Sequence, residues 1–328
     1  MSQFNYTSTL QEFIQGMIQE KQSLGYKYSG SARLLYTFDQ FCVEANLEEP
    51  VITKEIAQAW IQKKPNEAIA TLRGRVCVVR QLSLYIDRLG LNTYILPKNI
   101  IPKGVAYVPY IFSNEQLAAL FTKIDACQYC GEVPLRHKVL PLLFRLLYGC
   151  GLRVSEALNL KIQDVDVDAG ILTIIDGKFG KDRLVPLSAQ MTRQCYRYAK
   201  EVHMFSSDND YFFPAPDAKA ITKGNIYKNF RRFLWQAKIS HGGWGKGPRL
   251  QDFRHTFSVH CLRKWVFQGK DLAAYLPILK AYLGHGSFRD TAGYLRLTAE
   301  LYPDITAKME QAFGHVIPAL EGDDHETH

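Results

Sequence analysis

The sequence predicts a mainly α-helical chain with one small β-hairpin, an α+β fold in two parts. Apolar residues recur at three- and four-residue spacing through most of the chain, the period of an amphipathic helix. Two short apolar runs, ILTII at 171–175 and RLVPL at 183–187, flank the Gly- and Asp-containing segment DGKFGKD and read as paired strands. Residues 92–112, NTYILPKNIIPKGVAYVPYIF, hold Pro97, Pro102, Gly104 and Pro109 and interrupt the helical pattern. A length of 328 residues suffices for two ordinary domains, and 47% hydrophobic with 12% aromatic residues excludes a disordered chain.

In the first part, residues 7–24, 28–46 and 53–63 carry helical spacing. A longer helix from Asn66 to Leu89 gathers Ile69, Leu72, Val76, Val79, Leu82, Tyr85 and Ile86 on one side. Arg73, Arg75 and Arg80 decorate its remainder; a solvated face explains any one of them, and a grip on a polyanion explains all three. We place the first helical domain at 1–103, a linker at 104–112, a second domain at 113–316 and an acidic tail, with EGDDHETH at its end, at 317–328.

Ser113 opens the second domain, with Gln116 in capping-box position. Helices are expected near 113–125, 135–149, 188–203, 224–238, 249–268, 271–283, 287–295 and 299–313. Between Ser240 and Pro248 the run SHGGWGKGP reads as a flexible loop.

Charge narrows the partners. Forty Lys and Arg against 32 Asp and Glu leave a net charge of +8, which favours a polyanion through counterion release. The start, MSQFNYTSTLQEF, has neither the basic nor the apolar region of a secretion signal, and no apolar run is long enough to span a bilayer. Seven scattered cysteines suit a reducing compartment, so a cytoplasmic protein is expected. Cys127 and Cys130 form one CxxC without a second ligand pair, and no metal site is assigned.

Four segments carry polar residues that a plain core does not need. In LLYGCGLRVSEALNL, residues 146–160, Gly149 and Gly151 permit a sharp turn before a helix that Arg153 opens. A cation there opposes the helix dipole, which makes sense if it shares an anion with the free amides; an i,i+3 pair with Glu156 is the plainer reading. Lys178 lies in the hairpin turn. The phosphate-loop spacing is absent, and Asp164, Asp166 and Asp168 lack the glycine and closing glutamate of a calcium loop.

In RLQDFRHTFSVHCLRKW, residues 249–265, Phe253, Phe257, Cys261 and Trp265 repeat every four residues and mark the buried stripe. Gln251, Arg254, His255 and Ser258 form a second, polar face. In YLGHGSFRDTAGYLRLT, residues 282–298, Gly284 ends one helix, His285 occupies the turn and a new helix carries Tyr294. A tyrosine, with a reference pKa near 10, becomes a useful nucleophile where cations stabilise its phenolate.

Taken in order, the four segments resemble the catalytic domain of the tyrosine recombinases, the phage integrase family, over about residues 110–315. CGLRVSEAL is similar to the family's first box and supplies Arg153. GKFGKDRLVPL is similar to its hairpin and puts Lys178 on the catalytic lysine, with DVDVDAGILTI matching the stretch before it. QDFRHTF resembles the second box and supplies Arg254; LGHGS resembles the third and supplies His285, nine residues before Tyr294. The helical first domain matches the family's SAM-like core-binding domain in position and size. One position departs: the second box usually begins with His, and this chain has Gln251, which hydrogen-bonds but does not shuttle protons.

The resemblance implies site-specific DNA strand exchange without metal, ATP or other cofactor. Arg153 and Arg254 would clamp the scissile phosphate, Tyr294 would attack it to leave a 3′-phosphotyrosyl link, and Lys178 would protonate the departing 5′-oxygen. His285 would orient the phosphate and help deprotonate Tyr294, Gln251 would contact the phosphate, and His255 falls where the family usually has a buried structural histidine. Arg73, Arg75, Arg80, Lys181, Arg183, Lys246 and Arg249 are the expected further DNA contacts. The implied partners are double-stranded DNA held between the two domains as in a clamp, a homotetramer on two sites, and accessory DNA-bending or directionality proteins, with a mobile element as the setting. Type IB topoisomerase-like strand relaxation and an inactive DNA-binding relative are the two alternatives.

Overall fold

A computed structural model describes residues 4–104, 107–175, 182–243 and 247–301, the side chains of 299–301 excepted. The chain divides into two compact units, Met1–Tyr107 and Val108–His328.

The first unit holds four helices among its described residues: α1 (Gln11–Ser23), α2 (Ser29–Glu44), α3 (Lys54–Trp60) and α4 (Ile69–Arg88). α4 packs on α1 and α2 and buries Val79, Leu82 and Ile86 against Leu10, Ile14, Leu35 and Phe38. Asp39 of α2, fully buried, accepts hydrogen bonds from the Thr7 and Ser8 amides and from the Ser8 hydroxyl, tying down the chain before α1. Thr53 caps α3 by accepting from the Ile56 amide.

Arg75 departs from the sequence expectation. It is only 4% exposed, its guanidinium lies 4.8 Å from the centre of the Trp60 ring, and it donates to the Trp60 and Gln62 carbonyls and to Glu67. An arginine so engaged anchors the segment between α3 and α4 and is withdrawn from any DNA surface. Arg80 is half-buried and donates its Nε–H to the Leu96 carbonyl, whereas Arg73 lies half-buried on the same helix.

The second unit contains α5 (Asn114–Asp125), α6 (Arg136–Gly149) and α7 (Val154–Asn159), then strands β1 (Val165–Asp166), β2 (Ile171–Ile174) and β3 (Arg183–Pro186). Helices α8 (Ala189–Val202), α9 (Lys223–Gln236), α10 (Asp252–Phe267), α11 (Leu272–Leu283) and α12 (Phe288–Leu301) complete it. The antiparallel sheet runs in the order β1-β2-β3, with Leu172 opposite Val185 and Ile174 opposite Arg183. β1 falls in the aspartate-rich stretch, where Asp166 turns the chain by accepting from the Asp168 and Ala169 amides. The expected capping box at Ser113 and Gln116 is present at the start of α5.

The core centres on α6 and α10, where Phe253 stacks on Phe112 and meets Phe144 and Phe230. α10 is buried on more than one side. Asp252, Arg254, Thr256 and Ser258 are as buried as Phe253, Val259 and Leu262, while Phe257, Cys261 and Trp265 are only half-buried. The apolar stripe is therefore only part of the buried surface: a helix threaded through a domain needs partners all round, and the polar side is sealed by α12 and the Gly151 loop. The separate helices expected at 287–295 and 299–313 begin as one continuous helix, α12; residues 302–313 and the tail lie outside the described residues.

Candidate active site

Gly151 precedes α7 in left-handed backbone conformation, φ +58°, and a Cβ there would lie 2.6 Å from the Phe257 ring. The chain can thus come close to α10, and the Gly151 carbonyl accepts from Arg254 Nη1 at 2.8 Å. The other Nη of Arg254 donates to the Leu283 carbonyl at the end of α11. Two loops distant in sequence are held together by one guanidinium that is 1% exposed. Burial first, then the charge of Arg153, lowers the Arg254 pKa to about 10, still leaving it a cation near neutral pH.

Glu156 organises the remaining cations. Arg183 grips its carboxylate with both Nη atoms, each at 2.9 Å, and donates Nε–H to the Tyr282 carbonyl. Arg153 donates Nη1 to Glu156 Oε1 at 2.6 Å and Nη2 to the Gly284 carbonyl at 3.3 Å. Burial acts to raise the Glu156 pKa, but hydrogen bonds from Arg183 and the Arg153 amide, with both positive charges, outweigh it and bring it to about 2. The plain surface pair expected of Arg153 and Glu156 is a largely buried network. Arg183, read as a DNA contact, is instead the fork that holds this carboxylate.

Gly284 closes α11 at φ +64°, with a Cβ position 3.0 Å from Arg183, so both backbone and crowding call for glycine. His285 follows, its Nδ1 2.9 Å from the Thr291 hydroxyl. α12 then places Tyr294 against α10, 5% exposed. Its ring stacks on His285 with centroids 5.8 Å apart, and its hydroxyl lies 3.1 Å from His255 Nδ1. Burial raises the Tyr294 pKa, while Arg254, Ser258 and Arg153 act to lower it.

Arg153, Arg254, His285 and Tyr294 are therefore gathered at one place, where α7, α10, α11 and α12 meet. Gln251 stands half-buried at the N-cap of α10. Arg249 is exposed just before it. Lys178, Lys181 and Lys246 lie outside the described residues; β2 and β3 end at Ile174 and Arg183 on either side of the segment that contains the first two.

One surface escaped the sequence reading. Residues 218–251 contain eight Lys or Arg and no Asp or Glu, an excess as large as the whole chain's net charge of +8. In this stretch, α9 turns Lys223, Tyr227, Lys228, Arg231 and Trp235 outward, with Tyr227 40% and Trp235 79% exposed. A running count of acidic residues would have found it.

Comparison with known proteins agrees with this geometry. The model of the phage integrase family matches residues 112–300. The integrase/recombinase y4rB of Sinorhizobium fredii NGR234 is 33% identical over 310 residues, covering 93% of this chain and 98% of that one. Tyrosine recombinase XerA of Pyrococcus furiosus is 33% identical over 233 residues, 70% of this chain and 72% of its own. Among solved structures, the Tn1549 transposon integrase in complex with transposon right-end DNA superposes with a TM-score of 0.65 at 14% identity, over 93% of this chain and 99% of that one. The chain belongs to the phage integrase family, the tyrosine-type recombinases.

Proposed function

We propose that this chain is a site-specific DNA recombinase that cleaves and rejoins strands through a 3′-phosphotyrosyl link on Tyr294, in the service of a mobile element. The observation that carries the reading is the Tyr294 phenol beside buried Arg254, within hydrogen-bond distance of His255 and stacked on His285. Arg254 and Arg153 bind the scissile phosphate and stabilise the charge that builds up on it in the transition state. The Glu156–Arg183 fork keeps Arg153 beside the Gly284 turn. His285 and Gln251 orient the phosphate, and Lys178 protonates the departing 5′-oxygen, roles carried over from the family boxes. Tyr294 and Arg254 are 5% and 1% exposed, so a bound phosphodiester must displace part of what covers them.

Double-stranded DNA is the partner. We assign its backbone contacts to Arg73, Arg249, Lys181 and Lys246, and add the exposed basic and aromatic face of α9. Strand exchange between two sites takes four cleavages, hence a tetramer of this chain on synapsed DNA. Like the Tn1549 integrase in its complex with transposon right-end DNA, this chain is proposed to act on the ends of a mobile element.

The test is a nicked suicide duplex from the flanking DNA, incubated without metal or ATP. The native chain should yield a covalent protein–DNA band in a denaturing gel. A clear binding shift with no covalent band would favour an inactive DNA-binding relative, the reading that only Gln251 supports.

A further inference from the structure

We infer that His255 takes the proton of the Tyr294 hydroxyl during strand cleavage and returns it during rejoining. The family resemblance implies no such role at this position, only a buried structural histidine. The inference rests on the reading of Tyr294 as nucleophile and adds the fate of its proton.

The geometry leaves few candidates. The phenol has one hydrogen to give, and Arg254 and Arg153, the cations acting on it, are donors only. His255 Nδ1 lies 3.1 Å from the phenol oxygen, in hydrogen-bond reach. His285 meets the tyrosine by stacking, with its own Nδ1 turned to the Thr291 hydroxyl. Ser258 lies near the same oxygen but donates its hydroxyl to the Arg254 carbonyl at 2.9 Å, and an alcohol is no base near neutral pH. At Gln251, where the family usually has a titrating histidine, this chain has an amide. Among the described residues, His255 presents a ring nitrogen within hydrogen-bond distance of the nucleophile.

Burial, and then the charge of Arg254, push the His255 imidazolium down to about 4, so the ring is neutral and keeps one unprotonated nitrogen. Such a weak base does not ionise a free phenol, and it need not. As the tyrosine oxygen bonds to phosphorus its remaining hydrogen becomes strongly acidic, and a weak base then suffices. The Oη–P bond forms, the P–O5′ bond breaks, the phenol proton passes to Nδ1, and the departing O5′ takes its proton from the general acid. Rejoining reverses each transfer, and an imidazolium of low pKa returns its proton readily.

Single-turnover cleavage at saturating DNA tests this with His255→Gln and His255→Ala. Two suicide duplexes are used, an ordinary one and one with a bridging 5′-phosphorothiolate, whose thiolate leaves without protonation. Loss of a general base costs on the order of 100-fold or more. That loss should appear in both His255 variants on both substrates, with the DNA-binding shift unchanged. His255→Gln should also gain rate as pH rises from 7 to 9.5, because hydroxide replaces the missing base, and added imidazole should rescue His255→Ala. Cleavage by His255→Gln within a few-fold of native, or a loss that neither pH nor imidazole relieves, overturns the assignment while leaving the nucleophile in place. Absence of adduct with the native chain itself removes the nucleophile reading instead.

Discussion

Glu156 shows how much of this site depends on one carboxylate that touches no phosphate in the mechanism. Held by Arg153 and Arg183, its pKa falls from an ordinary 4.5 to about 2. A depressed carboxylate pKa means stability that is fully present above the unfolded value and is lost as pH falls through the folded one. A shift of this size corresponds to about 3 kcal/mol. Glu156→Gln should therefore be less stable than native in urea titrations at pH 7, with the gap closing between about pH 4.5 and 2; a gap that is unchanged at pH 3 contradicts the network. Arg153, Arg254, His285 and Tyr294 were legible in the sequence because each sits in a short box of fixed spacing. The Arg183 fork and the His255 contact were not, because they join residues 27 and 39 positions apart whose meeting depends on tertiary packing.

Helices followed their periodicity closely except where burial was two-sided or a connection was ambiguous. α10 carries polar residues into the core, so its apolar pattern marked only part of the buried surface. The helical stretches expected at 287–295 and 299–313 begin as one helix because nothing in Tyr294–Leu301 breaks it, and Thr298 returns its hydroxyl to the Tyr294 carbonyl. α4 shows why arginines on one helix are not equivalent. Arg75→Ala should cost about 3 kcal/mol by removing a buried side chain that ties Glu67 to the Trp60 and Gln62 carbonyls, whereas Arg73→Ala should leave stability within about 0.5 kcal/mol and weaken DNA binding instead. Thermal unfolding and binding titrations on the two variants separate these outcomes; equal loss of stability would refute the distinction. On α9, Lys228→Glu and Arg231→Glu should weaken binding about equally for all sequences. Each lost phosphate contact should flatten the log-affinity against log-salt slope by roughly one. An unchanged slope would remove α9 from the interface.

For the molecule as a whole, a positive excess equal to the net charge is concentrated in one tenth of the chain, residues 218–251, next to the box that supplies Arg254. On the proposed reading, charge placed this way draws DNA to the active-site unit before any base is read. Assembly should follow on DNA: native mass measurement of the cleaved complex should find four protomers on two duplexes, and a stable, active complex of fewer would contradict strand exchange. The central claim is that Tyr294 becomes joined to DNA. Covalent adduct from a suicide duplex, digested with protease and nuclease, should give a nucleotide-linked peptide whose fragmentation places the phosphate on Tyr294, and Tyr294→Phe should bind DNA without forming it. Linkage at any other residue, or undiminished adduct in the Tyr294→Phe variant, would contradict the account.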